Sequence, residues 1–182
     1  MRIFMVVDVM SIIIKLMSDI GELRVWLATI VLRRALDEDL LSRIKGMANG
    51  CRDSLVTVVP ANKILNAWHI IYPAYLSLRD HIMGISKFKD PGLGALTYMA
   101  GTTQLREGLN LLHPVGHDKI SVIIMGINDC VSDVTSKIMN LLGDKALDVV
   151  IGAGVNRVCD CAFTSIDDFI RTLISEYVDE FA

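Results

Sequence analysis

The stretch "LRVWLATIVLRR", residues 23–34, decides the fold. It is a long apolar run rich in β-branched residues, and it is expected to be a strand. Its neighbours extend the pattern outward. On the N-terminal side "RIFMVV" (2–7) is apolar and β-prone, whereas residues 10–17 fit more than one element. On the C-terminal side "LDEDLLSRIKGMANG" (36–50) opens with acids suited to a helix N-terminus and closes on Asn49-Gly50. Leu40, Leu41, Ile44 and Met47 form its apolar stripe. "DSLVTVVP" (53–60) is a further strand.

The clearest helical period follows. A helix is expected to begin at Pro60 or Ala61, where proline is tolerated. Ile64, Trp68, Ile71, Tyr75, Leu78 and Ile82 recur at spacings of three or four and make one apolar face. Lys63, Asn66, Ile70, Pro73 and Ser77 lie roughly opposite, and Pro73 removes one backbone donor. "KFKDPGLG" (87–94) reads as a loop and "ALTYMAG" (95–101) as a strand stopping at Gly101. Thr102 or Thr103 then caps a helix carrying Leu105, Leu109 and Leu112 and ended by Pro114. Gly108 costs roughly 1 kcal/mol against alanine inside a helix, so its presence points to a close backbone approach. "KISVIIMGI" (119–127) is a strand and "CVSDVTSKIMNLLG" (130–143) a helix. "ALDVVIGAG" (146–154) fits a short strand or the tail of that helical region. "TSIDDFIRTLISEYVDEFA" (164–182) is an amphipathic helix with Thr164 or Ser165 as cap. Strands and helices intermix without strict βα alternation. The expected architecture is α+β: one domain over 1–182, with helices packed on a mixed or antiparallel sheet of about four to five strands.

Composition narrows the function classes. The chain has 182 residues, 52% of them apolar, and a mean hydropathy of +0.47. The best membrane candidate, "MVVDVMSIIIKLM" (5–17), is interrupted by Asp8 and Lys15 and is too short to span a bilayer. The start "MRIF" lacks a secretory pattern. A cytoplasmic protein with no membrane association is expected, its apolar surplus filling a core or covered by a partner. The net charge of −3 argues against a wide grip on nucleic acid and leaves room for a small local contact. Without a secretion signal, Cys51, Cys130, Cys159 and Cys161 are expected to be free buried thiols.

No catalytic constellation is legible. "IGAGVNR" (151–157) has Gly152-x-Gly154, but Arg157 stands where a dinucleotide fingerprint needs its third glycine, and too little chain follows. His113 and His117 are separated by Pro114 and Gly116, so they do not share a helix face. Cys159-x-Cys161 lacks the spacing of a structural zinc pair. Asp129, Asp133, Asp167 and Asp168 sit at helix starts, where the dipole accounts for them. No catalytic residue, metal or cofactor is expected.

The run from Pro60 to Ile127 resembles one family. "VVPANKILNAWHIIYPAYLSL" looks like its long helix, with the pattern apolar-x-N-A-x-H. "LGALTYMAGTTQLREGLNLLHP" looks like its strand, turn and helix, and "DKISVIIMGI" like the strand that follows. The family is the TPRKB-like (Cgi-type) subunit of the KEOPS complex, and the order of elements on either side agrees. The resemblance implies a non-catalytic accessory subunit of the machinery that makes threonylcarbamoyl-adenosine in tRNA. Such a subunit binds and regulates the PRPK-type kinase-like ATPase, and through it meets the rest of the complex. In archaeal relatives it also holds the single-stranded 3′ CCA end of tRNA. Asn66, His69, Gly101 and Gln104 fall on matching positions. Thr103 stands where the family often has arginine and Gly108 where it often has alanine. The implied tRNA contacts, with the cations beside them, are Lys63, Asn66, His69, Lys87, Lys89, Thr103, Gln104 and Arg106. The N–H groups of Thr102 to Gln104 are one place for a phosphate. Two alternatives remain: a small nucleotide- or metal-binding enzyme, and a homo-oligomeric structural protein.

Overall fold

The long apolar run is the centre of a sheet. In a computed structural model, which describes residues 5–8 and 11–151, it forms the twelve-residue strand β3 (Gly21–Leu32). Ahead of it lie β1 (Met5–Asp8) and β2 (Ser11–Ser18). After it come α1 (Glu38–Gly46), β4 (Ser54–Pro60), α2 (Trp68–Ile82), α3 (Pro91–Met99), α4 (Leu105–Leu112), β5 (Lys119–Gly126), α5 (Cys130–Leu142) and β6 (Ala146–Ile151). Short 3₁₀ turns at Ala61–Lys63 and Gly143–Lys145 complete the order.

Among the described residues every strand pair is antiparallel, and the sheet order is β1-β2-β3-β5-β4. One flank of β3 pairs with β5 from Arg24↔Gly126 to Val31↔Lys119. The other flank is shared. β2 takes its first half, Gly21 to Val25, and β6 its second, Ala28 to Leu32. Among the described residues six strands thus occupy five positions, in keeping with the expected mixed or antiparallel sheet of about four to five strands. Of the ambiguous residues 10–17, those from Ser11 on belong to strand β2, and residues 146–151 also form a strand.

Alternation along the strands feeds two cores. Leu23, Val25 and Leu27 of β3, Leu55 and Val59 of β4, and Ile123 and Met125 of β5 point to one face, under α2, α3 and α4. Trp26, Ala28, Ile30 and Leu32, with Val56, Val58, Ile120, Val122 and Ile124, point to the other, under α1 and α5. Burial on both faces explains why β3 reads as a continuous apolar run. Thr29 and Ser121, cross-strand partners, share a buried hydrogen bond of 3.3 Å. That bond satisfies two polar groups the core would otherwise strand.

The structure corrects four expectations. Residues 91–99 are helical: α3 replaces the end of the expected loop and the expected strand over 95–101. Asp90 caps this helix by accepting from the Gly92 N–H at 2.8 Å, and Pro91 occupies its first turn. Its glycines are packing devices. A Cβ on Gly92 would lie 2.6 Å from the Val56 carbonyl of β4, and one on Gly94 would meet the Ser77 hydroxyl of α2. Second, α2 starts at Trp68, because Pro60 ends β4 and Ala61–Lys63 is a separate turn. Third, Ile70, Pro73 and Ser77 are buried, although they oppose the apolar stripe. The second side of α2 is covered by α3, where Ser77 donates to the Pro91 carbonyl at 2.7 Å. Fourth, Cys51 and Cys130 form a disulfide across a Cα separation of 5.9 Å, within the ordinary span of such bonds.

Gly108 fulfils its expected role: a Cβ there would sit 3.2 Å from the Thr97 Cα, so its absence lets α4 lie against α3. Among the described residues no helix is long and apolar enough to cross a membrane. The expected helix over 164–182, most of "IGAGVNR", Cys159, Cys161 and the first three residues of "RIFMVV" lie outside the described residues.

Candidate functional site

The two segments that carry the family resemblance meet where α2 begins and α3 ends. Asn66 supplies the cap of α2, its side-chain oxygen accepting from the Trp68 and His69 N–H groups at 3.0 Å each. This fixes His69 in the first turn. The His69 Nδ1 accepts from the Leu65 N–H at 3.3 Å, so the ring proton sits on Nε2. Nε2 then donates to the Met99 carbonyl at 3.0 Å, one of the four carbonyls a helix end leaves without an internal partner. One imidazole therefore ties the approach to α2 to the end of α3.

Two residues after Met99 begins a polar elbow, Gly101 to Gln104, between α3 and α4. Gly101 has φ +64°, the left-handed conformation that glycine adopts without a Cβ penalty. The Gly101 N–H reaches the Tyr98 carbonyl at 3.1 Å and the Thr102 N–H the Thr97 carbonyl at 3.0 Å. That pair of bonds is a Schellman ending of a helix, so the apolar run before Gly101 ends in a helix stop. Thr102 then works twice. Its hydroxyl accepts from the Gln104 N–H at 3.1 Å and donates to Glu107 at 2.6 Å, which steadies the first turn of α4. Two of the three N–H groups considered for a phosphate are thus engaged within the turn. Thr103, Gln104 and Arg106 are exposed beside them.

The predicted contacts divide into two sets. Lys63, Asn66, His69, Thr103, Gln104 and Arg106 belong to the segments joined by the His69–Met99 bond and the turn after it. Of these, Lys63, Thr103, Gln104 and Arg106 are exposed, whereas Asn66 and His69 spend polar atoms on holding the backbone. Lys87 and Lys89 precede the other end of α3, which at 1.5 Å per residue places them roughly 13 Å along that helix from the elbow.

A polar chain beside this junction escaped sequence reasoning. The Tyr75 hydroxyl donates to Asp19, in the turn between β2 and β3, at 2.5 Å. The Arg79 guanidinium lies 5.9 Å from the centre of the Tyr75 ring and 3.1 Å from Asp80. The Tyr98 hydroxyl of α3 donates to Asp80 at 2.7 Å. Burial, reinforced by the Asp19 carboxylate, pushes the Tyr75 phenol well above the ordinary tyrosine range. The bond to Asp80, with burial, raises Tyr98 in the same direction. Tyr75 and Arg79 share the helix spacing of i and i+4, a local signal, but nothing local marks Asp19 as their partner. Among the described residues no group of three or more His, Cys, Asp or Glu side chains is placed to hold a metal ion.

Comparison of the chain with family models and with curated proteins finds no match.

Proposed function

We propose that this chain is a non-catalytic accessory subunit of a KEOPS-type complex, the machinery that makes threonylcarbamoyl-adenosine in tRNA. It binds and regulates the kinase-like ATPase and works in the cytoplasm. The observation that carries the proposal is the His69–Met99 bond. The family-like "NAWH" (66–69) and "MAGTTQL" (99–105) segments meet at that bond, whose partners His69 and Met99 are 30 residues apart. A resemblance scattered over unrelated surfaces would carry less.

The tRNA 3′ end is proposed to lie over the exposed Lys63, Thr103, Gln104 and Arg106, with Asn66 and His69 shaping the backbone beneath. A net charge of −3 suits a hold on a few nucleotides. Because Thr103 replaces the arginine common in relatives, and two of the elbow's N–H groups are already bonded, phosphate attraction here comes from the lysine and arginine side chains.

Co-purification with a KEOPS kinase-like ATPase tests the first part. A stable complex without turnover by this chain alone is expected, and failure to associate would count heavily against it. Comparing intact tRNA with tRNA trimmed of CCA tests the second: trimming should weaken binding, and equal affinity would remove the tRNA role.

A further inference from the structure

Cys51 and Cys130 are 79 positions apart and were expected to be separate thiols. Their bond joins two loops on the face of the molecule covered by α1 and α5. Cys51 ends the turn after α1, where its N–H reaches the Ala48 carbonyl at 2.9 Å and its carbonyl accepts from the Ser54 hydroxyl at 2.7 Å. Cys130 is the first residue of α5. Few other bonds link these loops. Asn128 donates to the Arg52 carbonyl at 2.6 Å, and the Ile127 N–H reaches the Asp53 carbonyl at 3.3 Å. Both cysteines are partly exposed rather than buried in the core. Much of the hydrophobic burial lies in the sheet and helices beyond the two loops.

We propose that Cys51–Cys130 is a redox latch that pins the start of α5 to the turn leading into β4, and that a dithiol reductant opens it reversibly. This stands independently of the functional reading above. A thiolate of the dithiol adds to the Cys51 sulfur, and the sulfur–sulfur bond breaks toward Cys130, which leaves as thiolate. The N-terminus of α5 favours that leaving group. Asp129 and Asp133 oppose it, but Asp129 is paired with Arg24. The second thiol of the reductant then attacks the mixed disulfide and releases Cys51. Two electrons and two protons pass to the cysteine pair, and the reductant leaves as its own disulfide. The reverse exchange, with the oxidised dithiol, closes the latch.

The opened state keeps the sheet and the α2–α4 face, and loosens 47–53 and 127–131. The test uses the full chain with Cys159→Ser and Cys161→Ser, so that only the latch pair can report. Hydrogen exchange is followed with and without dithiothreitol. Exchange in peptides covering 47–53 and 127–131 is expected to accelerate about tenfold or more on reduction. Peptides from β3, β5 and α2–α4 should stay protected, since their exchange follows global stability rather than the local opening, and reoxidation should restore protection in the two loops. A Cys51→Ser/Cys130→Ser variant should exchange like the reduced form under both conditions. Unchanged exchange, or free thiols before any reductant is added, would overturn the latch. Global unfolding on reduction would also overturn it, leaving the bond a structural staple.

Discussion

Gly92→Ala puts the placement of α3 to a direct test. Replacing glycine by alanine inside a helix normally stabilises it by up to about 1 kcal/mol. At Gly92 the added Cβ would lie 2.6 Å from the Val56 carbonyl oxygen and 3.1 Å from the Asp90 carboxylate that caps the helix. The first obstacle is backbone of β4, held to β5 along its length. Relief therefore requires α3 to shift as a body, away from Thr57, whose hydroxyl donates to the Gly92 carbonyl at 3.1 Å. Overpacking of this kind typically costs about 1–3 kcal/mol, and the propensity gain is small in the first turn. A net loss of about 1–3 kcal/mol is expected. Gly46 is the internal control: it ends α1, and a Cβ there finds nothing nearer than Asn49 at 3.9 Å. Gly46→Ala should be neutral or stabilising by up to about 1 kcal/mol. Urea denaturation with equal slopes compares the two. Were Gly92→Ala to stabilise the chain as much as Gly46→Ala, α3 would not lie against β4 as described.

Other outcomes follow from the same geometry. Thr29→Val alone should cost about 1–3 kcal/mol because Ser121 is left buried without its partner, whereas Thr29→Val with Ser121→Ala should come close to neutral in the same assay. Removing the disulfide with Cys51→Ser and Cys130→Ser frees a loop of 79 positions and should lower stability by up to about 4.5 kcal/mol in the chain-entropy treatment; no loss in denaturation would refute that contribution, and thiol titration of the unreduced chain checks that the bond forms. His69→Ala should cost about 1 kcal/mol through its lost bonds to Leu65 and Met99, and, if the tRNA reading holds, should weaken CCA-dependent binding more than it weakens association with the kinase-like ATPase. Tyr75 and Tyr98 keep their protons longer in the folded chain than in the unfolded one. Their contribution is complete below the ordinary tyrosine range and is lost as pH rises above it. Phenolate absorbance should therefore show late-titrating tyrosines, and Asp19→Asn should bring Tyr75 down.

Much of the fold was legible because its strongest signals are local. β3, β4 and β5 announce themselves by apolar β-branched runs, and α1 and α5 by acids at the start and a 3.6-residue stripe. α3 was not, because it is buried against both α2 and β4. Its apolar residues surround the helix, so no period survives, and Gly92 and Gly94 mimic a loop while serving close packing. Asp90-Pro91 was the available signal, a cap followed by proline in the first turn. The burial of Ile70, Pro73 and Ser77 has the same origin, since a stripe computed from one helix ignores a second neighbour. At the site, the cap by Asn66 is a local event a sequence can show. The tie from His69 to Met99, the link from Tyr75 to Asp19 and the disulfide are long-range, and depend on how the helices lie across the sheet.

The measurement closest to the central claim is the mass of a mixture of this chain and a KEOPS kinase-like ATPase, taken in solution after co-purification. A stable complex of the two is predicted, with no turnover by this chain alone. Two species that elute and weigh as separate proteins would contradict the account.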